Sequence, residues 1–288
     1  MYDAIIIGAG PAGISAGLYL KRANKNVLVL YYGEAELEKA HKIDNFYGFV
    51  DGISGKELYN QGILQAKSLG VEVKNEEVLN ILMNESFRYN VITSNNTFEA
   101  TTIILATGSK KLTPNISGID KFEGKGISYC AICDGFFYRK KNVAVIGNEL
   151  YAISEAEELL NVTPNVTILT NGKEMKEKTE INVNTKKIKE IIGEEKVSGV
   201  IFEDGEKLDL NGIFIAEGIA GGANFAKKLG IYMEGNKIVV NEDMETNVLG
   251  IYACGNLTGG LLQINKAAYE GAKAGLKAVS YINERKVK

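Results

Sequence analysis

Ala4-Ile5-Ile6-Ile7-Gly8-Ala9-Gly10-Pro11-Ala12-Gly13 is the stretch that decides the fold. Ala4 to Ile7 is an apolar, β-branched run with the character of a parallel strand buried on both faces, and the glycines behind it open a helix that runs to about Asn24. In this GxGxxG pattern the first glycine makes a tight turn and the second lets backbone approach a pyrophosphate. The third allows close packing of helix on strand, and the helix N-terminus faces the anion. Val27 to Leu30 supplies the second strand of a βαβ unit. Tyr31 and Tyr32 stand where an acidic ribose ligand ordinarily ends that strand, with Glu34 and Glu36 slightly late, so the ribose contact stays unassigned.

Around this unit, 288 residues leave room for about two domains, and 45% apolar residues suffice for real cores. A net charge of -3 gives no reason to expect nucleic acid or an anionic membrane as partner. Neither a basic n-region nor a long apolar segment is found near the N-terminus, and the three cysteines do not form a secreted framework. A cytoplasmic, soluble protein is the expectation. One His and no Trp argue against His-based triads and His-rich metal sites, and His41 reads as a surface loop residue.

Downstream, 54 to 69 has helical periodicity with Ser54 as N-cap and Gly70 as stop. Strands are predicted at 78–83, 87–93 and 97–100 as a meander, and at 102–105 as a separate buried strand ending in Ala106-Thr107-Gly108. Pro114 and Gly118 suggest a linker. Val143-Ala144-Val145-Ile146-Gly147 then repeats Ile5-Ile6-Ile7-Gly8 in type, 139 residues on (147 - 8), again with a helix behind it. Further strands are expected near 166–169, 197–202, 207–210 and 213–216. Six lysines between Lys173 and Lys189 read as a solvated face, with a docking site for an acidic protein as the alternative. A second linker is expected near 242–246, then an apolar strand carrying Cys254 as a buried small hydrophobe, then a closing helix from about Gln263.

Cys130-Ala131-Ile132-Cys133-Asp134 is the chemical centre. Two thiols three positions apart can store an electron pair, the adjacent carboxylate can move a proton, and a helix starting there would lower the thiol pKa values. Tetrahedral zinc would need two further ligands, and only Cys254 and His41 are on offer, neither in a paired spacing.

Taken in order, Gly8-Ala9-Gly10-Pro11-Ala12-Gly13, Ala106-Thr107-Gly108, Cys130 through Gly135, and Gly250-Ile251-Tyr252-Ala253-Cys254-Gly255-Asn256 resemble the low-molecular-weight thioredoxin reductases. The resemblance implies an α/β chain of two Rossmann-like, three-layer ββα domains, the second inserted in the first. Residues 1–113 with 246–288 would form the FAD domain, and 114–245 the disulfide-carrying insert of NADPH type. It implies a homodimer with thioredoxin as substrate. By the same likeness Cys133 is the thiol next to the flavin, Cys130 the thiol that attacks the partner disulfide, and Asp134 the proton shuttle. Gly8, Gly10, Pro11, Ala12 and Gly13 would hold the FAD pyrophosphate, with Asn45, Ala106, Thr107, Gly108 and Gly255 as further FAD contacts. Gln263 and Ile264 would face the flavin ring. Asn256 replaces the family's Asp on the ribitol, and an amide can still hydrogen-bond a hydroxyl.

The insert departs from the family pattern. Where the family has Gly-Gly-Gly-Asp-Ser-Ala, this chain has Gly147-Asn148-Glu149-Leu150-Tyr151-Ala152, so a carboxylate stands where the pyrophosphate would come. Such like charges repel by about 1 to 4 kcal/mol at contact range. Glu149 is expected instead to satisfy free N–H groups of its own helix. At the next strand's end the family's His-Arg-Arg cluster is Thr170-Asn171-Gly172, which has neither a phosphate clamp nor a ribose acid. These losses resemble the ferredoxin-dependent flavin thioredoxin reductases, so FAD is expected, NADPH is not, and reduced ferredoxin is the expected donor. The alternatives are a flavin-dependent dithiol oxidase using oxygen, an NADPH-dependent thioredoxin reductase with unusual contacts, and a non-catalytic FAD-binding redox sensor.

Overall fold

The computed structural model describes residues 1–108, 114–218 and 220–287, without the side chains of Cys133, Lys286 and Val287. In the first part of the chain, β1 (Tyr2–Ile7), α1 (Pro11–Arg22) and β2 (Val27–Tyr31) form the βαβ unit that the glycine pattern predicts. Ala4 to Ile7 pair in parallel with Val27 to Leu30, and all eight are buried, which is why neither strand alternates. In α2 (Gly55–Ser68) the Ser54 hydroxyl accepts the Glu57 N–H at 3.1 Å, and Gly70 stops the helix at φ +84.

β3 (Glu72–Asn75) extends the sheet beside β2, and its mostly polar residues hid it from the sequence reading. β4 (Val78–Met83) and β5 (Tyr89–Thr93) follow; Phe87, expected to start a strand, sits in a turn at φ +54. β6 (Thr97–Leu105) is one strand, where the sequence suggested two. Its first half pairs antiparallel with β5 and its second half parallel with β1, so the change of partner at Ala100 mimics a break.

The chain then lays down α3 (Ile119–Phe122), β7 (Ile127–Ser128), α4 (Ala131–Asp134), β8 (Val143–Ile146), α5 (Leu150–Leu160), β9 (Val166–Leu169) and β10 (Asn182–Asn184). An antiparallel trio, β11 (Ile188–Gly193), β12 (Val197–Phe202) and β13 (Lys207–Asp209), precedes β14 (Gly212–Ile215). The parallel sheet runs β10-β9-β8-β14-β7. Ile116, Ile119 and Phe122 belong to the buried core of this part, so the stretch expected as a linker is structural. The lysine-rich run contains β10 and the start of β11, and four of its six lysines pair with the chain's own acids: Lys173 with Glu217, Lys176 with Glu149, Lys186 with Asp204 and Glu206, and Lys187 with Glu203.

Last come α6 (Gly222–Lys228), β15 (Met233–Glu234), β16 (Lys237–Ile238), β17 (Ile251–Ala253) and α7 (Ile264–Val287). Two compact units result: Met1–Lys110 with Gly221–Lys288, and Lys111–Ala220. The second division falls at 220/221, whereas the sequence reading drew it at 245/246. Gly222 explains the difference, because its N–H donates to Thr107 Oγ1 at 2.8 Å and an added Cβ would meet Leu257 at 2.5 Å. The stretch 242–246 likewise stays within the first unit, with Glu245 bridged to Tyr252. α7 crosses α1 so closely that a Cβ at Gly271 would lie 2.0 Å from the Ala12 carbonyl oxygen. Cys254 is fully buried and free, and burial pushes its thiol far above the ordinary range. Among the described residues, no helix is long and apolar enough to cross a membrane.

Candidate active site

The two units repeat one arrangement of backbone. In the first, Gly8 N–H donates to the Leu30 carbonyl at 2.7 Å, and Ala106 N–H to the Ile7 carbonyl at 2.8 Å. In the second, Gly147 N–H donates to the Leu169 carbonyl at 3.1 Å, and Ala216 N–H to the Ile146 carbonyl at 2.8 Å. The first glycine of each turn is required by packing, since a Cβ would lie 2.3 Å from Ala106 O at Gly8 and 2.1 Å from Ala216 O at Gly147. The units part at the third position of the turn, Gly10 against Glu149.

At Gly10 a Cβ would meet nothing within 4 Å, no side chain caps α1, and no acid stands in its first turn. The twelve-residue helix therefore presents the free N–H groups of its first turn to open space, a fit for the pyrophosphate of a dinucleotide such as FAD. Gly13 packs on Gly8, where a Cβ would lie 1.8 Å from the carbonyl oxygen, while Pro11 begins the helix as its missing N–H allows. Ala12 lies beside Gly255, whose added Cβ would come 3.0 Å from that of Ala12. Thr107 is tied to α6, and Gly108 has φ +76 with open space on its Cβ side. Asn45 and Gln263, 218 residues apart, are joined by an amide hydrogen bond of 3.3 Å, with Ile264 next in line as the first residue of α7. Asn256 lies in the helical turn Gly255–Thr258.

Sequence reasoning missed what holds that turn. Lys266 Nζ donates to Gly255 O at 2.8 Å and Gly259 O at 2.6 Å, and pairs with Glu270 at 2.9 Å. Glu270 in turn accepts the Gly255 N–H at 2.9 Å. The signal was a Lys and a Glu four apart on a helix face that packs inward.

At Glu149 the turn is occupied by the chain itself. Lys176 N–H donates to Asn148 O at 3.0 Å, the buried Asn148 amide donates to Glu174 O at 3.0 Å, and Lys176 Nζ stands 2.5 Å from Glu149 Oε1. Glu149 was expected to cap α5; it is the N-cap residue, yet its side chain makes no capping bond. Its length overshoots the geometry that Ser, Thr, Asp and Asn satisfy, and an ammonium lies within reach. Beyond β9, Asn171 Oδ1 accepts the Ile188 N–H at 2.9 Å and so serves the fold.

The cysteine motif lies in the second unit. Cys130 is disulfide-bonded and 5% exposed; the expected role of Cys133 falls on a side chain outside those described. Ser128, a residue the sequence reading passed over, binds both ends of the motif: its hydroxyl donates to Asp134 Oδ2 at 2.6 Å and accepts the Cys130 N–H at 3.1 Å. Burial raises the Tyr138 hydroxyl pKa, with the Asp134 charge adding to it. Glu155, on α5 and buried, accepts the Ala131 N–H at 2.8 Å. Ile132, Phe136 and Phe137 are exposed, with the Arg139 guanidinium 4.4 Å over the Phe136 ring. Such a site can exchange disulfides with a protein that covers these apolar side chains.

Comparison with known proteins gives the family. Residues 2–271 match the family model of the pyridine nucleotide-disulphide oxidoreductases. The thioredoxin reductase of Aquifex aeolicus (strain VF5) is 35% identical over 99% of this chain and 95% of its own. Among solved structures, the atypical thioredoxin reductase from Desulfovibrio vulgaris Hildenborough has a TM-score of 0.95 and 39% identity over 99% of each chain. A ferredoxin-flavin thioredoxin reductase from Clostridium acetobutylicum has a TM-score of 0.75 and 33% identity, covering 100% of this chain and 99% of its own.

Proposed function

This chain belongs to the low-molecular-weight thioredoxin reductase family, and from that premise we propose a flavin-dependent disulfide reductase that reduces thioredoxin with electrons from reduced ferredoxin rather than NADPH. The observation that carries the choice of donor is the contrast between the two turns. One is open at Gly10, and its counterpart is filled by Glu149, Lys176 and the backbone of Asn148. The ferredoxin-flavin relative supports the same reading.

In this proposal the first unit holds FAD, with Gly8, Gly10, Pro11, Ala12 and Gly13 at the pyrophosphate. Asn45, Ala106, Thr107, Gly108, Gly255, Asn256, Gln263 and Ile264 supply the other contacts. Bound FAD would collect single electrons and pass them on as a pair. Two ferredoxins give one electron each, two protons come from solvent, and the Cys130–Cys133 disulfide becomes two thiols. The Cys130 thiol gives its proton to Asp134 as its sulfur attacks one sulfur of oxidised thioredoxin, and Asp134 passes that proton to the leaving thiolate. Cys133 then attacks Cys130, releasing the second thiol of thioredoxin and closing the disulfide again. The reaction runs downhill: a ferredoxin near -400 mV and a thioredoxin near -270 mV differ by about 130 mV, roughly 6 kcal/mol for two electrons. A cytoplasmic homodimer completes the proposal.

The test is anaerobic. The FAD-loaded protein is offered NADPH, NADH and reduced ferredoxin in turn, while flavin absorbance and thioredoxin thiols are followed. Ferredoxin alone should bleach the flavin and yield thiols. Rapid bleaching by NADPH would return the chain to the NADPH-dependent class, and fast oxygen uptake with a small dithiol would make it an oxidase.

A further inference from the structure

Glu155 is a carboxylate in an apolar place. It is 1% exposed, lies on the inner face of α5 between the buried Tyr151 and Leu159, and takes the N–H of the residue that follows Cys130. Only four covalent bonds separate that nitrogen from Cys130 Sγ, so the carboxylate lies on the order of 7 Å or less from the sulfur. A buried carboxylate is costly unless it is bonded, and an apolar residue would fill this position more readily.

We propose that Glu155 is a positioning residue of the redox pair, fixing the backbone at Cys130 and opposing a thiolate there, so that the pair is a stronger reductant than its motif alone would be. The proposal rests on Cys130 being a redox thiol, as in the function proposed above, and not on the identity of the electron donor. Reduction adds two electrons and two protons to the disulfide, and when Cys130 then loses its proton to solvent, two like charges face each other. The neutral disulfide suffers no such repulsion. A pair becomes a strong oxidant when its reduced form is stabilised, and Glu155 acts in the opposite sense.

Among the described residues, the titratable neighbours of this region are few, and they include the buried Tyr129 that precedes Cys130. β8 and β9, against which α5 packs, carry no titratable side chain. α4 contains Cys133 and Asp134, the latter held by Ser128, and the turn after it brings Tyr138. On α5 itself Tyr151 lies one turn earlier, while Glu157 and Glu158 stand nearer solvent.

The experiment uses the FAD-loaded chain, reduced with dithiothreitol, freed of it, and alkylated with iodoacetamide across pH, with Cys130 followed by peptide mass. Glu155→Gln keeps an oxygen for the Ala131 N–H and removes the charge. It should lower the pH midpoint of Cys130 alkylation by up to about one unit, a ten-fold gain in rate below the midpoint. It should also shift the dithiothreitol equilibrium at alkaline pH toward the dithiol by up to about ten-fold, or about 30 mV. Glu155→Asp, which keeps the charge, should stay within about two-fold of the native equilibrium. A Gln variant with native midpoint and equilibrium overturns the proposal even if its melting temperature falls, because that is a structural role alone. An Asp variant shifted as far as the Gln variant overturns it too. Failure of native Cys130 to react at all would take down the disulfide reading along with this one.

Discussion

Lys176 Nζ stands 2.5 Å from Glu149 Oε1, at the turn whose counterpart in the first unit, at Gly10, is open. Lys176 is itself well exposed, so the ion pair adds little to stability. The pair of hydrogen bonds linking Asn148 to Glu174 and Lys176 holds that segment beside the turn, and the Glu149 and Lys176 side chains occupy it. Glu149→Gly with Lys176→Ala should remove the charge and the covering ammonium while leaving those bonds. The variant is expected to show measurable flavin bleaching by NADPH where the native chain, on the proposed function, should show none. Adding Asn171→Arg and Gly172→Arg would supply phosphate clamps, but Gly172 has φ +81, where an Arg is strained by about 1 to 2 kcal/mol. Continued silence toward NADPH in the double variant, with FAD bound, would mean that Glu149 and Lys176 are not what excludes it.

Gly10→Ala and Gly271→Ala are expected to behave oppositely. A methyl at Gly10 meets open space, so the apoprotein should lose no more than about 1 kcal/mol while FAD affinity drops at least ten-fold in a titration. A methyl at Gly271 meets the Ala12 carbonyl oxygen at 2.0 Å, forcing α7 off α1. About 1 to 3 kcal/mol should be lost, seen as a fall of roughly 3 to 10 °C in melting temperature.

Ser128→Ala removes the donor at 2.6 Å from Asp134 and the acceptor of the Cys130 N–H. Thioredoxin turnover should fall about ten-fold, equivalent to 1 to 2 kcal/mol, with a displaced pH profile. Ser128→Thr should recover much of it. An unchanged profile in the Ala variant would show that Ser128 does not hold the proposed proton carrier.

Tyr89 gives an alkaline signature. Its hydroxyl is buried and donates to the Leu249 carbonyl, and burial raises its pKa to about 12. The folded value exceeds the unfolded value near 10, so the stabilisation is whole below pH 10 and is lost as pH rises toward 12. Its size is about 2 to 3 kcal/mol. Tyr89→Phe should lower stability near neutral pH by about 1 kcal/mol and flatten the fall between pH 10 and 12, measured by urea unfolding. Equal slopes in the two proteins would contradict this.

Sequence alone determined the parts that depend on local pattern. Ile5 to Gly13 and Val143 to Gly147 are strand-to-turn segments because apolar β-branched runs meet glycines, of which Gly8, Gly13 and Gly147 admit no Cβ, and Ser54 and Gly70 mark a helix by side-chain and backbone chemistry at single positions. The spacing of Cys130, Cys133 and Asp134 set the expectation of redox chemistry there. The tertiary structure decided what joins residues far apart in the chain. It made one strand of 97 to 105 by changing partners along it, assigned 221 to 245 to the first unit, and brought Asn45 to Gln263. It also turned Glu149 away from its own helix toward Lys176, and set Glu155 against the Ala131 N–H beside Cys130. A charged side chain can reach many partners, and only packing selects one of them. The sequence could therefore show that a carboxylate had replaced a glycine, but only the fold could show which residues close over it.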